Sequence, residues 1–127
     1  MPRFVIQHHL RDAGDEHWDL MLEVGGTLWT WSLPCPPAAL PAMAQQLTDH
    51  RLDYLEYEGE ISGGRGRVAI HDAGLYEWLG DESAPQTHDT SSVLCFRLAG
   101  CCLQGRFELR RIPHEGRDLW RFSRVAE

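Results

Sequence analysis

The chain has 127 residues, of which 43% are apolar and 24% are charged, a size and composition that fit one compact domain and exclude a disordered or fibrous chain. Residues 1–127 are therefore interpreted as a single domain. All 12 basic residues are arginine, which excludes chemistry that needs a lysine nucleophile, and the net charge of -7 argues against a protein that coats nucleic acid without specificity.

Short apolar or alternating runs separated by turn residues dominate the sequence, and this pattern is typical of a β-rich barrel or sandwich. Nine such runs predict strands, which is too many for one flat sheet. The predicted strands are Arg3–Gln7, Trp18–Val24, Thr27–Leu33, Leu52–Tyr57, Arg67–His71, Leu75–Trp78, Val93–Leu98, Gly105–Arg111 and Leu119–Val125.

The connections between these runs carry turn residues and one helical signal. Gly25-Gly26 and Asp72-Ala73-Gly74 predict tight hairpins, and the glycine-rich stretch 63–66 predicts a flexible loop. Ala38–Leu47 is rich in alanine, leucine, methionine and glutamine, and these good helix formers predict a single helix. Asp81–Ser92 is polar and aperiodic, which predicts a mobile loop.

Apolar run length, the first residues and cysteine spacing bear on the compartment of the protein. No apolar run approaches the roughly 20 residues that span a bilayer, and the first residues lack the apolar region of a signal peptide, so we expect a cytoplasmic protein with no membrane partner. The cysteines form no CxxC spacing, which favours buried thiols over disulfides or a zinc site. They are Cys35, Cys95, Cys101 and Cys102.

Charge is distributed unevenly along the chain. Up to Phe96 there are five arginines and fifteen acidic residues, whereas from Arg97 onward there are seven arginines and four acidic residues. Two interpretations of the last third stay open. It faces a phosphate backbone, or it is a solvated strand face that balances the acidic body.

The first candidate site lies at the start of the second predicted strand. His17 and Asp19 are two residues apart, so the strand period aims both side chains at one face while Trp18 and Leu20 take the other. His9 ends the first strand, and an adjacent strand could bring it within reach of His17. Two imidazoles and one carboxylate suit a divalent transition metal that keeps open positions, although an ordinary surface hydrogen bond explains the same spacing.

The second candidate site directly follows the predicted helix. His50 and Tyr54 lie in the stretch Asp-His-Arg-Leu-Asp-Tyr at 49–54. A histidine can donate to a phosphoryl oxygen or to a leaving group, and a tyrosine hydroxyl can hold the same group in place. The alternative interpretation is a helix-capping segment followed by a half-buried aromatic residue.

These motifs resemble the 3'-phosphoesterase domain of bacterial DNA ligase D, and the similarity runs in consistent order through nearly the whole chain. The matching segments are Phe4–His9, His17–Glu23, Gly26–Pro34, His50–Ile61, Val68–Gly74 and Leu98–Leu109, with Trp120 in the closing strand.

The resemblance implies a mainly β fold, a closed antiparallel β-barrel with one or two flanking helices. It also implies a metal-dependent phosphoesterase of DNA repair that removes a 3'-phosphate or a 3'-terminal ribonucleotide. By position, His9, His17 and Asp19 correspond to the metal ligands, and His50 and Tyr54 contact the scissile phosphate. The implied metal is Mn²⁺, with Zn²⁺ or Co²⁺ as alternatives. The expected partners of the monomer are DNA or RNA 3' ends and a separately encoded DNA ligase or polymerase.

The sequence also departs from the family pattern. Met21, Cys35 and Ala42 stand where the family carries basic residues. The segment between His9 and His17 is two residues longer than is usual, which makes His8 a competing ligand. These differences keep two alternatives open: a catalytically weakened module that binds metal and nucleic-acid ends, and a hydrolase of a small phosphate ester.

Overall fold

The computed structural model describes residues 2–11, 14–79, 92–112 and 118–126. Within these ranges the structure consists of nine strands and two 3₁₀ helices, η1 and η2. The elements are β1 Arg3–Leu10, β2 Glu16–Val24, β3 Thr27–Leu33, η1 Pro37–Ala39, β4 Ala42–His50, η2 Leu52–Leu55, β5 Gly59–Glu60, β6 Arg67–Trp78, β7 Val93–Ala99, β8 Gln104–Arg111 and β9 Leu119–Val125.

Eight of the strands form a closed antiparallel barrel. Their order is β1-β2-β3-β4-β9-β8-β7-β6, and the pairing of β6 with β1 closes the ring, while the two-residue β5 adds to β6. β6 reaches both neighbours because its first part pairs with β1 and its last residues pair with β7. The predicted mainly β, closed antiparallel barrel is confirmed.

The inside of the barrel is filled by alternate, inward-facing side chains of every long strand, as the period of two requires. Trp31 and Trp120 meet edge to face with ring centroids 5.7 Å apart, and Phe96 stacks on Phe122. These rings are fully buried, so the lumen is a packed core. A site for a large substrate therefore cannot lie inside the barrel.

A second, smaller apolar cluster lies on that outer wall. Val5 of β1, Met21 of β2 and Leu28 of β3 pack with Leu55, and Tyr54 borders the same cluster. The 3₁₀ helix η2 therefore docks on the outside of the β1–β2–β3 sheet, opposite the inward-facing core.

The predicted helix over Ala38–Leu47 is wrong. Only Pro37–Ala39 form a 3₁₀ turn, and Ala42–His50 form β4 between β3 and β9. At its start β4 alternates between buried and exposed residues, with Ala44 in the core and Met43 outside. Pairing on both edges and burial of the small residues override helix propensity here.

Two other local predictions are also wrong. The segment predicted as a strand over Leu52–Tyr57 contains η2 instead. The hairpin predicted at Asp72-Ala73-Gly74 does not exist, because β6 runs unbroken through it and only shifts its register against β1 between Ile6 and Gln7. Asp72 is buried, and its carboxylate accepts hydrogen bonds from the backbone N–H groups of Ala73, Cys101 and Leu103.

The hairpin predicted at Gly25-Gly26 is present, with φ of +59° and +86°. The four cysteines are free thiols, as predicted, but the predicted burial is wrong, since Cys101 and Cys102 are exposed and Cys35 and Cys95 are half-buried. The loop predicted over Asp81–Ser92 lies outside the described residues except for Ser92. Among the described residues there is no helix long and apolar enough to cross a membrane.

Candidate metal and phosphate site

The two histidines of the first candidate site face each other across the β1–β2 pair. His9 and His17 are register partners, and Asp19 follows on the same outer face. His9 Nδ1 lies 3.2 Å from His17 Nε2, and His17 Nε2 lies 3.2 Å from Asp19 Oδ1. One ligand atom from each residue lies within 4.8 Å of the other two, so this His-His-Asp group could hold a metal ion.

The tautomer of His9 is fixed by the glycine-rich loop. Its Nε2 lies 2.8 Å from the carbonyl oxygen of Arg65, which can only accept a hydrogen bond, so Nε2 carries a proton. In the neutral ring, Nδ1 then carries no proton, and its lone pair points at His17 Nε2. A backbone acceptor on the distal nitrogen is also the usual way in which proteins orient a metal-binding histidine.

The Asp19 carboxylate, like the His9 tautomer, shows whether these residues fit a metal ion. The residue is 5% exposed, and its Oδ1 accepts no hydrogen bond from any described residue. His17 Nε2 can carry one proton, which cannot satisfy both His9 Nδ1 and this oxygen. A divalent cation would satisfy all three atoms. Ligands at about 2.1 Å from one metal lie about 3.0 to 3.4 Å apart, which agrees with the two separations of 3.2 Å.

His8, the competing candidate, is turned away from this group. Its Nε2 lies 2.8 Å from a carboxylate oxygen of Glu16, and its ring stacks on Trp18 with centroids 4.7 Å apart. Strand alternation places His8 and His9 on opposite faces of β1. The structure therefore brings His9, and not His8, to His17 and Asp19.

The second candidate pair is also brought together. The rings of His50 and Tyr54 meet edge to face with centroids 5.6 Å apart. His50 Nδ1 lies 2.8 Å from the carbonyl oxygen of Thr48 and must donate to it, which leaves Nε2 as the nitrogen that can exchange a proton with a ligand. His50 ends β4 and Tyr54 lies in η2, so the turn at Arg51 joins them.

Gln7 connects the two candidate sites, a role that the sequence motifs did not predict. Its side chain is 1% exposed, and its Nε2 donates to the carbonyl oxygens of Tyr54, at 2.9 Å, and Tyr57, at 3.0 Å. In the β1–β2 register Gln7 is the partner of Asp19. It therefore ties the Tyr54 segment to the wall beside the His-His-Asp group. The signal in the sequence is a glutamine on the same strand face as His9.

Two cavities flank the group. One, of about 330 Å³, lies between η2 and the glycine-rich loop and is lined by Arg51, Tyr54, Tyr57 and Arg65, and also by acidic residues including Glu60. The other, of about 320 Å³, extends from His17 along the outer wall. It is lined by Arg11, Asp15, Glu16, His17, Ser32, Pro34, Met43, Gln45 and Leu119.

The positions that depart from the family pattern differ in environment. Met21 lies on the same strand face as His17 and Asp19, but it is 1% exposed and packs in the cluster beneath η2. Ala42 is buried at the start of β4. Cys35 lies in the β3–β4 connection, with its Sγ 3.9 Å from the carbonyl oxygen of Ala39.

Comparisons with known proteins agree with this architecture. Residues 7–111 match the family model described as the DNA Ligase D 3'-phosphoesterase domain. The multifunctional non-homologous end joining protein LigD of Pseudomonas aeruginosa is 37% identical over 122 residues, which cover 91% of this chain and 14% of that protein. The multifunctional non-homologous end joining DNA repair protein LigD of Mycobacterium tuberculosis is 33% identical over 114 residues, covering 85% of this chain and 14% of that protein.

The corresponding LigD protein of Mycolicibacterium smegmatis is 32% identical over 135 residues, covering 98% of this chain and 17% of its own length. The chain therefore spans only 14% to 17% of the length of these relatives. The extent of the family match and the agreement along most of the chain show that it belongs to the DNA ligase D 3'-phosphoesterase domain family.

Proposed function

We propose that this chain is a metal-dependent phosphoesterase that removes a 3'-phosphate or a 3'-terminal ribonucleotide from nucleic-acid ends during DNA repair. The observation that carries the proposal is the buried Asp19 Oδ1, which accepts no hydrogen bond from the described residues and lies beside two histidine nitrogens. The names of the relatives place them in non-homologous end joining, and we extend that role to this chain.

In this proposal His9, His17 and Asp19 hold one divalent ion, Mn²⁺ in the first place, with Zn²⁺ or Co²⁺ as alternatives. When bound, the ion polarises a phosphoryl oxygen and lowers the pKa of a bound water. Three protein ligands leave open positions for water and substrate, as catalytic sites require. The fixed His9 tautomer and the buried carboxylate hold the ligand atoms in place before the ion arrives.

His50 and Tyr54 then act on the phosphate itself. The Nδ1 proton of His50 is engaged by Thr48, so Nε2 donates a proton to a phosphoryl oxygen or to the leaving oxygen when the ring is charged. The Tyr54 hydroxyl donates to the same phosphate group, and Gln7 holds the Tyr54 backbone on the wall. These residues are catalytic in our proposal, whereas Gln7 is a positioning residue.

The positive charge needed for phosphate comes from arginines outside the family positions. Arg51 follows His50 directly, and Arg65 lines the same cavity as Tyr54. The Arg65 guanidinium donates to the carbonyl oxygen of Ser62 at 2.8 Å, and the Arg65 carbonyl oxygen contacts His9 Nε2. A charge-assisted bond from each arginine to phosphate contributes about 1.5 to 3 kcal/mol.

We further propose that residues 1–127 form a single domain, since the family match spans residues 7–111 and closure of the barrel pairs strands from both halves of the sequence. By extension from the family, we propose that this domain is a monomer that acts beside a separately encoded ligase or polymerase.

The test uses a primer–template that carries either a 3'-phosphate or one 3'-ribonucleotide, incubated with and without Mn²⁺. We expect metal-dependent release of phosphate or of the terminal nucleoside, and loss of that activity by at least about 100-fold in His50→Ala and Tyr54→Phe. If the substrate is unchanged after hours with enzyme in excess, the phosphoesterase proposal is contradicted and the alternative of a binding module is favoured. Hydrolysis of bis(p-nitrophenyl) phosphate without action on the primer end would indicate a small-ester hydrolase.

Metal binding is measured separately from activity, by titration calorimetry with Mn²⁺. Asp19→Asn keeps the side-chain shape but removes the charge, and we expect it to weaken Mn²⁺ binding by roughly 100-fold or more. Glu77→Gln, which removes an exposed carboxylate on β6, is the matched control and should bind like the wild type. Equal affinities in all three proteins would contradict the assignment of the metal ligands.

A further inference from the structure

The arginine-rich last third of the chain forms one wall of the barrel. On the outer face of β7 and β8, Arg97 and Arg106 are register partners. Four residues further along β8, Arg110 is the partner of Arg121 on β9. The two arginine pairs are about 14 Å apart along the sheet, which matches the axial rise of about four nucleotides in a duplex. We call Arg97, Arg106, Arg110 and Arg121 the arginine wall.

The pairing within this wall is unfavourable in the absence of an anion. Like charges directly opposite each other on neighbouring strands destabilise a sheet, and here that arrangement occurs twice. One arginine of each pair forms an ion pair with a glutamate. Arg97 Nε lies 3.7 Å from Glu77 Oε1, and Arg110 Nε lies 3.1 Å from Glu108 Oε2.

The other member of each pair, Arg106 and Arg121, has no ion-pair or hydrogen-bond partner among the described residues. Within the described part of the chain these two guanidinium groups are therefore uncompensated, although the net charge of the protein is -7.

The wall borders the groove that begins at the candidate active site. Register partners lead around the barrel from Asp19 to Ser32, then to Gln45 on β4 and to Leu119 on β9. The cavity that begins at His17 is lined by Ser32, Gln45 and Leu119. Arg121 lies two residues beyond Leu119, on the same strand face. The groove of about 320 Å³ that begins at His17 thus reaches Met43 and Leu119, and Met43 is the register partner of Arg121.

We propose that the arginine wall binds the sugar-phosphate backbone of the nucleic acid whose 3' end lies at the His-His-Asp group. The choice of nucleic acid as the partner rests on the proposed function. The composition of the wall favours phosphate over an acidic protein, because the row between the two arginine pairs holds Cys95, Glu108 and Ser123 and offers no large apolar anchor. Protein interfaces depend on such anchors, whereas nucleic-acid interfaces are polar and positively charged.

The experiment measures binding of a dumbbell DNA duplex, which has no 3' end, by fluorescence anisotropy in EDTA over a range of salt concentrations. The double variant Arg106→Gln/Arg121→Gln should raise the Kd roughly tenfold at low salt and reduce the slope of log Kd against log salt by about 2. Arg3→Gln, an exposed charge change on β1, should bind the dumbbell as the wild type does. Arg106→Lys/Arg121→Lys keeps both charges and should retain the salt slope.

Because the probe lacks a 3' end and the buffer lacks metal, failure of the cleavage assay and failure of this binding assay are distinguishable. Failure of wild-type protein to bind the dumbbell, or wild-type affinity in the double glutamine variant, would overturn the proposal. Binding of polyglutamate in place of DNA would overturn it as well, since the partner would then be an acidic protein. Equal thermal unfolding midpoints in all variants verify that each is folded. If the double variant does not fold, the binding test is repeated with Arg106→Gln and Arg121→Gln as single substitutions.

Discussion

Replacing Gln7 by leucine should detach the Tyr54 segment from the barrel while leaving the barrel folded. Gln7 is 1% exposed, and its amide group makes two hydrogen bonds, of 2.9 and 3.0 Å, to carbonyl oxygens of the segment that contains η2. Leucine has a similar volume, so the wall loses little packing. The two carbonyl oxygens lose their donor.

The magnitude follows from these two contacts. Each hydrogen bond contributes about 1 kcal/mol net, and a buried acceptor left without a donor costs about 1 to 3 kcal/mol. Both bonds are only partly buried, so each acceptor costs about 1 to 2 kcal/mol, in the lower part of this range, and the docking of η2 loses about 2 to 4 kcal/mol. Because the two bonds hold only the η2 segment and the strand pairs of the barrel are unchanged, we expect more frequent local opening of 51–58 rather than global unfolding.

Hydrogen exchange followed by mass spectrometry measures this effect directly. Peptides that cover 51–58 should exchange roughly 30 to 1000 times faster in Gln7→Leu, the factor that corresponds to about 2 to 4 kcal/mol, while peptides from β7 and β8 stay protected. Gln104→Leu is the control, since this exposed glutamine donates only to Gly100. Wild-type exchange of 51–58 in Gln7→Leu would show that Gln7 does not hold this segment.

Three further substitutions test the packing. Met21→Arg should lower the free energy of unfolding in urea by about 3 to 5 kcal/mol, because a guanidinium replaces a side chain that is 1% exposed, whereas Met21→Leu should cost less than about 1.5 kcal/mol. Asp72→Ala should cost about 3 to 5 kcal/mol in the same assay, since three backbone N–H groups lose their acceptor. Burial, and secondarily the charge of Glu23, raise the pKa of Tyr76. The folded state therefore keeps the phenol proton to a higher pH than the unfolded state does. The free energy of unfolding should fall by up to about 1.4 kcal/mol per pH unit above about pH 10. Tyr76→Phe should remove that part of the alkaline loss.

Each result has an opposite that would contradict the structure. Full stability of Met21→Arg would place Met21 at the surface. Retained stability of Asp72→Ala would mean that its three hydrogen bonds are not essential. An identical alkaline slope in Tyr76→Phe and the wild type would assign the pH dependence to other groups.

The strand alternation made much of the candidate site predictable. The period of two in β2 is enough to put His17 and Asp19 on one face and Trp18 and Leu20 on the other, and the structure has this arrangement. The choice between His8 and His9 required the register of β1 against β2. That register depends on the length of the connection and on both neighbouring strands, which a local pattern does not contain.

The incorrect predictions about the fold have the same origin. Ala42–His50 consists largely of good helix formers, but its two strand partners come from β3 and from β9, which is some 70 residues away in the chain. The buried Asp72 looked like a turn residue because aspartate usually caps turns locally. Its carboxylate does organise a turn, but that turn joins β7 to β8. Gln7 was missed because its acceptors lie 47 and 50 residues away.

The alternation along β2 also determines how mutations combine. Asp19 and Leu20 are neighbours in sequence, yet one faces the His-His-Asp group and the other the lumen, so the effects of changing both should add. His17 and Asp19 share one site, and their effects should be strongly non-additive. In double-mutant cycles, coupling should therefore follow strand parity rather than distance along the chain. A library that varies the inward positions of β2 alone can change the stability of this barrel while its outer chemistry stays the same.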